Sequence, residues 1–363
     1  MKLRLSGFAL ALLFCLPSMS LANEVSTLAG NGTKGTTADG SVATKASIGE
    51  PYGLVIGPDG ALYICEIANH LVRRLDLQSG TLTRVAGNGT KGYSGDGGSA
   101  LDAQCDEPYE VRFDSKGNMV FVEMKNAVVR KVDKETGKIS TIAGTGKVGF
   151  SGDGGPATQA TFKQPHSIAF DEHDNLYICD IGNHRVRRVD GKTGIVTTLV
   201  GGGNTAPGPG TSSIENLALK GPRALDYAGN GVLILALREG NAIYRLDLNK
   251  KTLTHLAGTG KKGYTGDGGP GQQALLSGPK GVAIDSKGNI YFADTESHTI
   301  RVIRPETGIV ETVCGNGKRG DGLDKDPLKC EMNRPHGVCV DKEGNVYIGD
   351  SEAHKVRVVK FSK

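Results

Sequence analysis

The sequence predicts an all-β fold, a six-bladed β-propeller of four-stranded blades, and three observations carry that prediction. A proline recurs at Pro51, Pro108, Pro165, Pro222, Pro279 and Pro335, spaced by 57 residues four times and by 56 once. Each repeat holds four short runs rich in β-branched and aromatic residues, bounded by Gly, Asp and Asn turns. Glycine supplies 54 of the 363 residues and tryptophan none, about twice the usual glycine share, as many tight turns would require. Four strands per unit, repeated at this period, close into a propeller because each unit buries its faces only against its neighbours.

The third repeat shows the elements in order. A first strand follows Pro165 (His-Ser-Ile-Ala-Phe-Asp), and a turn leads to the second, Leu176 to Asp180. The third strand is Val186 to Asp190, and after the turn ending at Gly194 the fourth runs Ile195 to Val200. The chain stops in a third strand, Val356 to Phe361, which leaves blade 6 one strand short. Thr27-Leu-Ala-Gly30 matches Thr141-Ile-Ala-Gly144, the end of a fourth strand. The N-terminal strand is therefore expected to complete blade 6, close the ring and remove two free sheet edges.

Residues 1–22 read as a signal peptide: Lys2 and Arg4, an apolar core from Phe8 to Leu16, and a small-x-small site ending at Ala22. Cleavage there would leave residues 23–363 as one propeller domain, secreted or periplasmic. No later stretch reaches the ~18 apolar residues of a membrane span. Without Lys2 and Arg4, the 43 basic side chains nearly balance the 39 acidic ones, so nucleic acid is not an expected partner.

Asn69-His70-Leu71 spells the signature of the NHL repeat, with variants at Asn183-His184-Arg185, Ser297-His298-Thr299 and Ala353-His354-Lys355. The chain thus resembles the NHL-repeat β-propeller family over essentially all of residues 23–363. It is similar to the propellers of streptogramin lyases, peptidyl-hydroxyglycine amidating lyases and gluconolactonase-like proteins. That resemblance implies the fold, but such propellers serve as lyases, lactonases, sensors and docking modules, so function must come from the site.

Residues repeated in most blades read as structural. These are the acids Glu66, Glu123, Asp180, Asp294 and Asp350, expected to bond amides of the following loop, the NHL histidines, and Arg73, Arg130, Arg187, Arg301 and Arg357. Gly-x-Gly-x-x-Gly occurs five times, from Gly30, Gly87, Gly144, Gly258 and Gly315, which is turn chemistry rather than a dinucleotide fingerprint. Ser/Thr-Gly-Asp-Gly-Gly recurs around Asp96, Asp153 and Asp267. Since calcium takes 6–8 oxygens, each aspartate is expected to cap its own turn.

Function is expected where the repeat breaks. The long connections from Gly87 to Glu107, Gly144 to Gln164 and Gly258 to Gly278 cross one face and gather around the channel mouth. The residue after each proline varies there: Tyr52, Tyr109, His166, Arg223, Lys280 and His336. Blade 2 adds Glu110 and Arg112, while blade 4 replaces the acid with Leu237, followed by Arg238. One polar pocket built by all six blades is the expectation, with Asp180 and Asp350 orienting His166 and His336.

The leading reading is a binding propeller that gathers a small polar or anionic molecule through Arg223, Lys280, His166 and His336, with Tyr52, Glu110, Arg112 and Arg238 as further ligand-binding candidates. The alternative is a lyase or hydrolase with His166 or His336 as base, Tyr52 or Tyr109 as proton donor, and Arg223 or Lys280 on an oxyanion. The resemblance to streptogramin and amidating lyases implies a divalent metal there (Zn, Ca or Mg), for which His166, His336 and Glu110 would be the ligands. A third reading docks another exported protein on the Gly-rich loops. Among the cysteines, Cys314 and Cys330 are placed to bridge and Cys65 with Cys105 less so, while Cys179 and Cys339 read as buried thiols.

Overall fold

The computed structural model describes residues 22–361, so residues 1–21 of the segment expected to be a signal peptide lie outside the described residues. Six antiparallel sheets follow one another around a central channel. The innermost strands begin at or just after the repeat prolines: Pro51–Ile56, Pro108–Phe113, Pro165–Phe170, Pro222–Gly229, Pro279–Ile284 and Gly337–Val340. Within a blade the strands pair in sequence order from the channel outwards, as in Pro165–Phe170, Leu176–Asp180, Arg185–Val189 and Val196–Gly201. Blades 1 and 4 carry a short fifth outer strand, Ser41–Val42 and Thr211–Ser213.

The ring closes as the termini predict. Ala22–Ala29 pairs antiparallel with Lys355–Phe361, bringing Val25 opposite Val359. A clasp holds it from outside: Val25 exchanges backbone hydrogen bonds with Lys325, and the Thr27 amide and hydroxyl both donate to Asp324. Val25 and Ala29 are fully buried.

The repeated acid and arginine form one buried network in each blade except the fourth. In blade 2 the Glu123 carboxylate receives the Asp106 amide at 2.9 Å and Arg130 at 3.0 Å, and both side chains are solvent-free. Gly49, Lys163, Ser277 and Asn333 donate the matching amide in blades 1, 3, 5 and 6. All these donors stand two places before the blade's own innermost proline position, so the acid fastens the preceding loop and not the following one as expected. The Asp-Gly-Gly aspartates do not cap their own turns either. Asp96, Asp153 and Asp267 reach Arg130, Arg187 and Arg301 at 2.7 Å each, and Thr141, Thr198 and Thr312 donate to the same carboxylates. Their oxygens are committed to arginine, which removes the calcium alternative as well.

The NHL histidines are structural. His70, His184 and His298 sit in the left-handed backbone region and accept, through Nδ1, the amide of Glu107, Gly221 and Arg334 before the next blade's proline. Blade 4 does the same with Asn241, whose Oδ1 accepts the Gly278 amide. The six cysteines among the described residues are buried free thiols, so neither expected disulfide is formed, and the Cys330 thiol donates to the Glu331 carbonyl at 3.5 Å.

Two stability predictions arise here. Removing residues 23–31 exposes the edge of Lys355–Phe361, and the melting temperature, read by circular dichroism, is expected to fall by more than about 10 °C. Glu123→Ala leaves Arg130 buried against only the exposed Asp96, and chemical denaturation is expected to show a loss of about 3–5 kcal/mol.

Candidate functional site

The channel mouth is built by the residue after each repeat proline, and its shape follows from the next position along. Blades 1, 5 and 6 have Gly53, Gly281 and Gly337 there, where a side chain would collide with the neighbouring inner strand. A Cβ would stand 2.7 Å from the Tyr109 carbonyl oxygen, 2.3 Å from that of His336 and 1.8 Å from that of Tyr52, respectively. Blades 2, 3 and 4 have Glu110, Ser167 and Ala224 instead. These glycines thus let the inner strands of blades 1 and 2, 5 and 6, and 6 and 1 approach closely.

The six mouth residues pack on one another rather than lining one open pocket. His336 stacks on Tyr52 with ring centroids 3.9 Å apart, Tyr52 meets Tyr109 edge-on at 4.7 Å, and Tyr109 meets His166 at 4.4 Å. The two histidines are thus joined across the mouth by a continuous aromatic chain. The Arg223 guanidinium lies 4.6 Å over the Tyr109 ring. Lys280 Nζ stands 3.2 Å from His336 Nε2 and donates to Glu296 at 2.9 Å.

Neither histidine is oriented by the predicted acid, because Asp180 and Asp350 belong to the arginine networks. Backbone carbonyls do that work. His166 Nδ1 is 2.6 Å from the Gln164 oxygen and His336 Nδ1 2.8 Å from that of Arg334. Gln164 and Arg334 have φ of 52° and 53°, turning each carbonyl back under the ring two residues on. A carbonyl only accepts, so Nδ1 carries the hydrogen and Nε2 keeps its lone pair. Burial, together with Arg223 and Lys280, holds both imidazoles well below the usual histidine range, hence neutral.

Charge at the mouth is uneven. Arg223 is 5 % exposed, and among the described residues its guanidinium makes no hydrogen bond or ion pair with the protein. Burial and the Arg223 charge push the Lys280 ammonium down to about 7, against the pull of Glu296. Glu296 also binds Arg334, which binds Glu352, which binds Arg319, so charges alternate outwards from the buried lysine to solvent. Burial keeps the Tyr52 and Tyr109 phenols protonated well above neutral pH.

Deeper in the channel, Glu110 and Arg112 form an ion pair, with Asp226 of blade 4 held by the Tyr227 and Ile284 amides. The metal-ligand set expected from the resemblance is not assembled. His166 and His336 stand on opposite sides of the mouth, Glu110 is bound to Arg112, and no three His, Cys, Asp or Glu side chains converge among the described residues. Arg238 lies with His166 in a cavity of about 310 Å³ between blades 3 and 4, walled also by Lys163, Gln164, His184 and Glu239. Sequence reasoning missed Lys163, Glu239, Glu296 and Arg334. The signal was present in their places two before the proline, one before it and two after the second strand, all of them on the mouth rim.

The aromatic residues of the Gly-rich loops serve their own blades. Tyr93, Phe150 and Tyr264 lie over Arg130, Arg187 and Arg301 at 5.3, 4.9 and 5.3 Å.

The NHL repeat profile matches residues 162–189 and 332–359, and that of the teneurin NHL domain matches residues 250–333. The chain is 25% identical to NHL repeat-containing protein 2 of Gallus gallus over 82% of its own length. It spans between 27% and 44% of the lengths of its plant, bird and mammalian relatives of this kind. Among solved structures it is similar to an auxiliary nutrient binding protein from Bacteroides ovatus, at TM-score 0.69 and 18% identity, over 94% of this chain and 78% of that one. It is also similar to virginiamycin B lyase from Staphylococcus aureus, at TM-score 0.52 and 17% identity, over 86% and 80% of the two chains.

The depressed Lys280 has a measurable consequence. The unfolded chain binds that proton up to the ordinary lysine value near 10.5, the folded chain only up to about 7, so stability gains as pH rises between them. Lys280→Met removes the penalty. Its melting temperature relative to wild type is expected to be most favourable below pH 7 and to decline towards pH 10 in scanning calorimetry.

Proposed function

For this chain, an NHL-repeat six-bladed β-propeller, we propose that the channel mouth binds a small anionic molecule. The observation that carries the reading is Arg223, 5 % exposed at the mouth, whose guanidinium makes no hydrogen bond or ion pair with the protein among the described residues. Its nitrogens are not sealed from solvent, so an anion can take the place of water on them through charge-assisted hydrogen bonds. Its neighbours favour the same charge: Lys280 lies close enough for the Arg223 charge to act on it, and Lys163 and Arg238 wall the cavity beside His166. The cavity beside His166, about 310 Å³, has the size of small-molecule sites. The nutrient-binding description of a Bacteroides propeller of the same fold is in keeping with this reading.

The basic n-region and apolar core of residues 1–22 support export, so the ligand would be met outside the cytoplasm. Docking of another exported protein gains less support, because the loop aromatics are spent over blade arginines.

Titration calorimetry with succinate, glucuronate and inorganic phosphate tests the proposal. At least one of these is expected to bind, and Arg223→Ala is expected to lose about 1.5–3 kcal/mol of that affinity, as for a charged hydrogen bond. No binding by any of the three, or equal affinity in the variant, would refute it.

A further inference from the structure

We propose that Lys280 is a nucleophilic amine, activated by His336, which condenses with the carbonyl group of a small oxo acid whose carboxylate rests on Arg223. The inference depends on the anion reading above for the carboxylate and adds a covalent step to it. The geometry is that of a nucleophile, a base and an orienting group. Lys280 Nζ lies 3.2 Å from His336 Nε2, and the opposite nitrogen, Nδ1, is fixed at 2.8 Å by the Arg334 carbonyl. That carbonyl forces the hydrogen onto Nδ1 and leaves Nε2 as the acceptor aimed at the lysine. Stacking against Tyr52 holds the ring plane, with centroids 3.9 Å apart.

An ordinary structural lysine would carry a carboxylate of its own. Lys280, 5 % exposed, shares Glu296 with Arg334, and both cations contact the same Glu296 oxygen, at 2.9 and 2.7 Å. The carboxylate is thus divided between two cations, with Arg223 adding a third positive charge nearby. Burial and that charge favour the free amine close to neutral pH.

The step balances without a further reactant. His336 Nε2 takes a proton from the Lys280 ammonium, and the amine adds to the carbonyl carbon, forming the C–N bond as the C–O π bond breaks. The imidazolium returns its proton to that oxygen, and His336 Nε2 then takes one proton from the new C–NH2+ group, giving a neutral carbinolamine. The same imidazolium protonates the departing hydroxyl, so water leaves as the nitrogen lone pair forms the C=N bond of the iminium. In sum, one ammonium and one carbonyl become one iminium and one water.

The test is reductive trapping of the whole protein with pyruvate and sodium cyanoborohydride, followed by peptide mass spectrometry. Lys280 is expected to carry the reduced adduct in preference to every surface lysine, and His336→Asn to slow its labelling about 100-fold, as for loss of a general base. Acetone, which lacks the carboxylate, is expected to label Lys280 far less than pyruvate does. Lys280→Arg and Lys280→Met serve as paired controls for folding. Adduct spread evenly over surface lysines, or unchanged labelling in His336→Asn, overturns the proposal. Succinate binding that Arg223→Ala abolishes, with no adduct at Lys280, overturns the amine alone and leaves the anion reading standing.

Discussion

Five of the six blades hang on a carboxylate buried beside a guanidinium at the end of the second strand. Two such charges out of water are stabilised by each further partner they gain. The protein supplies an amide from the loop before the repeat proline and, in blades 2, 3 and 5, the aspartate of the Asp-Gly-Gly turn, while Arg130 Nε and Arg187 Nε and Nη1 keep no hydrogen-bonding partner. The pairing therefore adds a polar tether to long loops whose alanines and a larger apolar side chain, such as Phe162 or Leu276, already pack into the blade cores. It also fixes the innermost proline position and the side chain that follows it, so the mouth residues inherit their positions from a network they do not touch.

Blade 4 is the exception, and the exception is informative. Leu237 and Tyr244 stand where other blades have acid and arginine, and both are buried in an apolar cluster with Leu235 and Leu246. Its preceding loop adds the strand Thr211–Ser213 instead of an aspartate turn. With no network to serve, this blade offers Arg223 at the mouth and Arg238 on the rim. The cavity that Arg238 walls opens between blades 3 and 4.

The repeat, the six blades and the terminal closure were legible because periodicity encodes them directly. The same periodicity separated structural from variable positions, and it placed Arg223, Lys280 and the two histidines together. What it hid was the source of each side chain's orientation. Asp180 and Asp350 stood at plausible spacings from His166 and His336, yet their partners are arginines in the same blade. The carbonyls that do orient the imidazoles depend on positive φ at Gln164 and Arg334, which no glycine advertises. Ring stacking across the mouth escaped for a related reason, since contacts between blades have no fixed sequence spacing.

The strand that closes the ring also governs when the ring can form. Val25 pairs with Val359, so the sixth blade is incomplete until nearly the whole described chain is available. Blades 1 to 5 can assemble from local hairpins, whereas this last pairing must close a loop spanning them all, and contacts of such sequence separation form slowly. During that interval an open arc would expose the Lys355–Phe361 edge, the kind of surface through which propeller fragments would join one another. The outer clasp from Asp324 and Lys325 to the N-terminal strand then acts as a latch that shuts after the ring has met itself.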